Sequence, residues 1–175
     1  MRKFFLIILT LLLLGGPAFN QTFETLEERK GEKTLKGIIS RSNLESDSSF
    51  TWYATNLKGY TPNSLALDAL QQYKDSIQII AFMGTWCEDS HTIIPKFFSL
   101  TDRVGFAANR VTLIGVDRNK KTLSNLADAL DIKNVPTLMV MKNGKEVGRV
   151  VEYGKYGMWD KELGEIIMSA FKMKP

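Results

Sequence analysis

The 175-residue chain carries one cysteine, Cys87, and one histidine, His91. A lone cysteine excludes an intramolecular disulfide. Zinc sites assembled from several Cys and His side chains are excluded with it. A Ser-His-Asp hydrolase would have His91 as its only available base. An excess of one charge sign is also missing: 23 Lys and Arg against 19 Asp and Glu leave +4, of which Arg2 and Lys3 supply two. The basic residues are scattered along the chain rather than gathered in a patch, which disfavours nucleic-acid binding. The longest apolar run, Phe4 to Leu14, falls short of the roughly 20 residues a bilayer span needs. What remains is ordinary for a packed fold: 44% hydrophobic and 24% charged residues, enough for one globular domain or one domain plus an extension.

The amino-terminal segment has the layout of a secretory signal peptide over residues 1–20. Arg2-Lys3 is its positive region, Phe4 to Leu14 its apolar region, and Gly15-Gly16-Pro17-Ala18 its small, helix-breaking end. Cleavage is expected after Ala18 or Asn20. No cysteine adjoins the apolar region, so a lipoprotein anchor is excluded. These features predict an exported protein, periplasmic or secreted, with no membrane attachment once the leader is removed; the alternative is an uncleaved N-terminal anchor, which the short apolar run disfavours. Export changes what Cys87 means. An unpaired thiol in an oxidising compartment points to intermolecular pairing or a reactive thiol. The alternative is a buried cysteine serving as a small hydrophobe.

Residues 21–34 are rich in Glu, Lys and Arg and are expected to form a solvated leader to the fold. Residues 35–62 hold apolar anchors among Ser, Asn and Gly, so 21–62 as a whole is expected to be an N-terminal extension packed on a domain spanning 63–175. Asn63 or Ser64 can cap a helix with Leu65, Leu67, Leu70 and Tyr73 on its apolar side. Ser76 to Met83 and Val111 to Val116 have the continuous apolar character of buried strands. Residues 88–100 and Leu123 to Leu130 suggest helices, Thr137 to Met141 and Val147 to Val151 two more strands, and Asn143-Gly144 a tight hairpin. Trp159 to Phe171 closes the chain as an amphipathic helix. Strands alternating with helices predict parallel pairing in a sheet covered on both faces, with the hairpin adding an antiparallel edge.

The chemistry concentrates in Gly84-Thr85-Trp86-Cys87-Glu88-Asp89-Ser90-His91, where a buried strand gives way to a helix. A thiol at a helix N-terminus meets unpaired N–H groups and the positive end of the macrodipole, and both favour thiolate. Glu88 and Asp89 oppose it, though acidic residues in a first helical turn are also favourable simply as dipole partners. His91, four residues on, shares the helix face of Cys87 and is a candidate thiolate partner or proton relay, or else an exposed polar neighbour. Ser90 is placed to hydrogen-bond the thiolate or to serve as an unremarkable first-turn hydroxyl. Asp117 and Arg118, after the second strand, are expected in a solvated turn.

Taken together these features resemble the thioredoxin family over roughly residues 63–172. A Trp86-Cys87 pair follows an apolar strand, and Pro95 lies inside the helix where that family has a kinking proline. Val135-Pro136-Thr137 is similar to its cis-proline segment, Lys142-Asn143-Gly144 to its hairpin, and Gly154 to the glycine at its groove rim. The pattern is most similar to exported bacterial thioredoxin-like proteins. The resemblance implies an α/β thioredoxin fold: a central mixed β-sheet flanked by helices, here with an N-terminal extension. It implies thiol–disulfide exchange with Cys87 as nucleophile, Trp86 at the rim, and Val135, Pro136 and Thr137 as the substrate-binding edge. It implies no metal or organic cofactor; the partners are protein or small-molecule thiols and disulfides, and external thiols supply electrons. Nothing in the sequence sets an oligomeric state. The departures are equally informative. Ser90 stands where the family has its second, resolving cysteine, Ala81 where it has a buried Asp, and the Lys paired with that Asp falls near Leu113. The resolving thiol, its base and the base's partner are absent together. That leaves a monothiol Cys-x-x-Ser oxidoreductase or, in another class, a redox-inactive binding or chaperone-like module. Peroxidase chemistry is weaker, because the Thr-x-x-Cys and Arg arrangement of peroxiredoxins is missing.

Overall fold

Successive residues of the central strand point to opposite faces, and both faces are apolar. Ile79, Ala81 and Met83 look one way while Ile80 and Phe82 look the other. A strand buried on both sides must lie inside a covered sheet, and it does. The computed structural model describes residues 22–172; the leader expected at residues 1–20 lies outside the described residues. In chain order the elements are β1 (Phe23–Arg29), β2 (Glu32–Ile39), α1 (Arg41–Glu45), α2 (Trp52–Asn56), α3 (Ser64–Tyr73), β3 (Gln78–Met83), α4 (Glu88–Arg103), β4 (Val111–Gly115), α5 (Leu126–Ala129), β5 (Thr137–Lys142), β6 (Lys145–Val151) and α6 (Trp159–Lys172). The six strands form one sheet in the order β1-β2-β4-β3-β5-β6.

Only β3 and β4 are parallel; every other neighbouring pair is antiparallel. The alternation of strands and helices predicts parallel pairing in general; β5 departs from it, giving the mixed sheet that the resemblance implies. Phe82, near the end of β3, pairs with Thr137, the first residue of β5. The chain leaves β4 at the Cys87 end of the sheet. The connection holds only a four-residue helix, which does not carry the chain back along the sheet to the other end. The eight-residue helix expected from Leu123 is broken for a local reason. Ser124 and Asn125 both adopt left-handed backbone, so a 3-10 turn at Leu123–Asn125 precedes the short α5.

One large core cluster joins the Ile79 face of the sheet to α3, α4 and α6, with Leu70, Ile93, Phe97, Leu163 and Ile167 almost wholly buried. A smaller one joins Phe82, Ile114 and Met139 to Ala127, Ile132 and Val135 on the opposite face. Helix α3 starts as expected: Asn63 Oδ1 accepts the Leu65 N–H at 3.0 Å. Its most buried residues are Ala66, Ala69 and Leu70, while Leu65, Leu67 and Tyr73 are half-buried. Small side chains face inward because α6 approaches closely. A Cβ on Gly164 would sit 2.8 Å from the Leu65 carbonyl.

The sheet does not stop at residue 63. The acidic-basic stretch expected as a solvated leader is a hairpin, β1 and β2, and β2 pairs antiparallel with β4 through Gly37↔Gly115, Ile38↔Ile114 and Ile39↔Leu113. Gly115 permits that approach, since a Cβ there would lie 2.2 Å from the Leu35 carbonyl oxygen. The charged residues suit an outer hairpin with one face in water.

Candidate active site at the amino end of α4

Cys87 is the N-cap residue of α4, with extended backbone (φ −101°, ψ 121°) and no capping hydrogen bond from its side chain. Its carbonyl accepts the His91 N–H at 2.9 Å, and its own N–H donates to the Gly84 carbonyl at 3.0 Å. The thiol is half-buried and donates to the Val135 carbonyl oxygen across 3.2 Å. The Val135–Pro136 peptide bond is cis. The two distant segments singled out in the sequence therefore meet at one hydrogen bond. Thr137 turns its hydroxyl onto the Asn134 carbonyl at 2.7 Å, and the Pro136 carbonyl accepts the Glu152 N–H at 2.7 Å, so the proline loop is held from both flanks.

The turn that presents Cys87 is tied down residue by residue. Ser90 is fully buried, and its hydroxyl oxygen accepts the Gly84 N–H at 3.2 Å. The Thr85 hydroxyl donates to the Lys33 carbonyl at 2.9 Å and accepts the Leu35 N–H at 3.1 Å, both on β2. The Trp86 indole N–H donates to the Val116 carbonyl at 2.9 Å. His91 Nε2 lies 2.7 Å from the Thr85 carbonyl oxygen, so that nitrogen carries the proton, and the ring stacks on Trp52 with centroids 4.2 Å apart. Glu88 is exposed and Asp89 half-buried, both in the first turn of α4. Below the turn, Ala81 and Leu113 are buried cross-strand neighbours. No ionisable group stands at either position.

Pro95 has consequences beyond its own ring. A proline has no N–H, so the His91 carbonyl, four residues earlier, loses its helical partner. Asn56 supplies the missing bond: its Nδ2 donates to the His91 carbonyl at 3.0 Å. With Trp52 on the imidazole, α2 clamps His91 through both its ring and its backbone.

Sequence reasoning missed a second group. Asp117 and Arg118 are not a solvated turn. Asp117 is buried, accepts the N–H groups of Asn119 and Lys121 at 2.9 Å, and pairs with Lys36 at 3.1 Å. Arg118 grips the Glu32 carboxylate with two nitrogens, Nη2 reaching Oε2 at 2.6 Å, and lies over the Trp86 ring with its guanidinium carbon 5.0 Å from the centroid. The backbone N–H of Arg118 donates to Glu28. Glu28 is the extra residue of a β-bulge between Glu27 and Arg29, and a bulge re-aims a side chain in this way. The Arg118 guanidinium is held above the usual arginine range first by the hydrogen bond to Glu32, with smaller contributions from the charges of Glu32 and Glu28. Lys120 Nζ joins it over Trp86, 5.6 Å from the ring centre. Only the three-dimensional path of the hairpin brings Glu28 and Glu32 to Arg118 beside Trp86; no spacing in the sequence signals it.

A cysteine at the N-cap position of a helix, opposite a cis-proline, on a mixed sheet flanked by helices, defines the thioredoxin class of folds. The chain belongs to the thioredoxin family: the family model described as Thioredoxin matches residues 65–159. Among curated relatives, Thioredoxin H9 of Arabidopsis thaliana is 30% identical over 79 residues, 45% of this chain and 52% of that protein. The thioredoxin of Gallus gallus is 33% identical over 73 residues, 42% of this chain and 64% of that one. The chain thus spans between half and two thirds of the length of these relatives. Among solved structures, thioredoxin O2 of Arabidopsis thaliana shares 25% identity over 58% of this chain and 83% of its own, with a TM-score of 0.38. Among the described residues no helix is long and apolar enough to cross a membrane.

Proposed function

We propose that the protein is an exported monothiol thiol–disulfide oxidoreductase, working in the periplasm or outside the cell, with Cys87 as its only nucleophile. The observation that carries this reading is the half-buried thiol at the N-cap of α4, 3.2 Å from the carbonyl that precedes the cis-proline. The deprotonated Cys87 sulfur attacks one sulfur of a client disulfide. A Cys87–client disulfide forms, the client S–S bond breaks, and the departing thiolate takes up a proton. Loss of the Cys87 S–H frees the Val135 carbonyl to accept a main-chain N–H of an extended client. Ser90 does not resolve the intermediate: its hydroxyl is far too weakly acidic, and its oxygen is committed to the Gly84 amide. An external thiol attacks the mixed disulfide, is oxidised with the client sulfur to a new disulfide, and returns Cys87 as thiolate. Trp86 and Val135-Pro136-Thr137 line the client edge. Glu88 and Asp89 bias it against acidic client segments.

The test uses a glutathionylated peptide with glutathione as the reductant. The full chain is expected to release free peptide thiol and glutathione disulfide with turnover, and Cys87→Ser to release none above background. A second reading has its own observation, the apolar Ala81–Leu113 pair where the family has its buried Asp and Lys. In that reading the fold is a redox-inactive binding module. Absence of turnover, with peptide binding retained in Cys87→Ala, would overturn the enzymatic reading in its favour.

A further inference from the structure

The amino-terminal hairpin reaches the site electrostatically as well as mechanically. Its bulged Glu28 and its Glu32 converge on Arg118, one through the backbone N–H and one through the guanidinium. Arg118 in turn covers the face of Trp86, the residue bonded to Cys87. Trp86 is itself pinned by its indole N–H on Val116, so the cation is held against a rigid neighbour of the thiol. A guanidinium stacked on an aromatic ring and forked onto a carboxylate has few other conformations.

We propose that Arg118 is a positioning residue that sets the reactivity of Cys87, with Glu32 moderating its charge, so that the hairpin adjusts the nucleophile from outside the family's usual site. The proposal rests on Cys87 being the reacting group. Among the described residues, charged and polar groups stand about the thiol on four segments. On α4 stand Glu88, Asp89 and His91, the last committed to the Thr85 carbonyl. After β4 stand Arg118 and Lys120, both over Trp86. The loop before β5 contributes the Val135 carbonyl, which holds the thiol form. The hairpin contributes Glu28 and Glu32. The sign follows from charge alone. Removing the Arg118 cation leaves Lys120 alone over Trp86 to offset two carboxylates of the hairpin and two of the helix against a developing thiolate. Removing the Glu32 charge leaves the guanidinium unbalanced in the thiolate's favour.

The experiment is the pH profile of Cys87 alkylation by iodoacetamide on the full chain, followed by intact mass. Arg118→Met is expected to move the profile to higher pH and slow labelling at pH 7 about two- to fivefold, the range of an exposed charge interaction. Glu32→Gln, nearly identical in shape, is expected to move it to lower pH and speed labelling by a similar factor. Arg118→Lys is expected to recover most of the loss, which a purely steric role for the guanidinium would not allow. Superimposable profiles for the parent and Glu32→Gln, or shifts of the same direction in Glu32→Gln and Arg118→Met, would overturn the proposal. Glu32→Gln alone decides it if Arg118→Met does not fold. Alkylation needs no client, so opposite shifts without peptide turnover would sustain the proposal while the enzymatic reading fails. Flat profiles with turnover intact would do the reverse.

Discussion

Ser90 sits at zero exposure with its hydroxyl on the Gly84 amide, at the position where a dithiol relative would hold a sulfur beside Cys87. Its present task is local: it closes the turn between β3 and α4. Exchanging the hydroxyl for a thiol weakens one buried hydrogen bond, a loss of about 0.5–1.5 kcal/mol. It also places a second sulfur within one helical turn of the first. Ser90→Cys is therefore expected to fold with slightly reduced stability and to form an internal disulfide under mild oxidant. Mixed disulfides that persist on the parent chain are expected to be short-lived on the variant. Thiol counting on the oxidised variant checks this. Two free thiols after oxidation would mean that the Ser90 position points away from Cys87 and that resolution is barred by geometry as well as by chemistry.

The helix α4 owes its shape to a partner it cannot supply. Pro95 removes the donor that the His91 carbonyl needs, and Asn56 on α2 restores it at 3.0 Å. Asn56→Ala should leave a half-buried carbonyl unpaired and cost about 1–3 kcal/mol in urea unfolding. Pro95→Ala brings back an N–H one turn along, so the same Asn56→Ala change is expected to cost much less in that background. Equal costs in the two backgrounds would show that Asn56 does not act through the orphaned carbonyl. A neighbouring element, the 3-10 turn at Ser48–Phe50, begins at Asp47, whose carboxylate accepts the Ser49 N–H and pairs with Lys33 of β2. The Lys33 hydrogen bond, and after it the Ser49 amide, lowers the Asp47 carboxyl from 3.8 to about 2. A lowered carboxyl stabilises the fold above its unfolded value and loses that contribution as pH falls through the folded one. The parent should therefore exceed Asp47→Asn in stability well above pH 3.8, with the gap closing as the pH falls to about 2. A gap that is constant with pH would rule out the ion pair as its source.

At the scale of the whole molecule, one sheet is built from two kinds of sequence. Strands β3 to β6 were legible because their apolar residues run continuously or alternate between turn signals, and α3 because Asn63 caps it. The contact between Cys87 and the Val135-Pro136 segment was legible only through family resemblance, since 48 residues separate the two partners. The hairpin was not legible. Strand β1 mixes exposed and half-buried residues, and β2 sets its buried Thr34, Leu35 and Ile39 among Glu32, Lys33 and Lys36, so the charged residues mask the strand pattern and only Gly31, with φ +77° at its tip, marks the reversal. Arg118 was hidden for the same reason, because its partners lie on that hairpin. The hairpin's hold on the domain can be tested where the strands come closest. Gly115→Val would set a side chain into the space of the Leu35 carbonyl, where even a Cβ comes to 2.2 Å of backbone oxygen. Strand β2 must then move off β4, an overpacking cost of roughly 1–3 kcal/mol or more. Its amides, above all the Leu35 N–H that now donates to Thr85, should exchange with solvent faster, while those of α6 keep their protection. Because Thr85 is bound to Lys33 and Leu35, the same change should alter the alkylation rate of Cys87 at neutral pH. Undisturbed exchange in β2 would mean that the close approach at Gly115 is not what holds the hairpin to the domain. Disturbed exchange with an unaltered Cys87 rate would mean that the turn keeps its shape without the β2 edge.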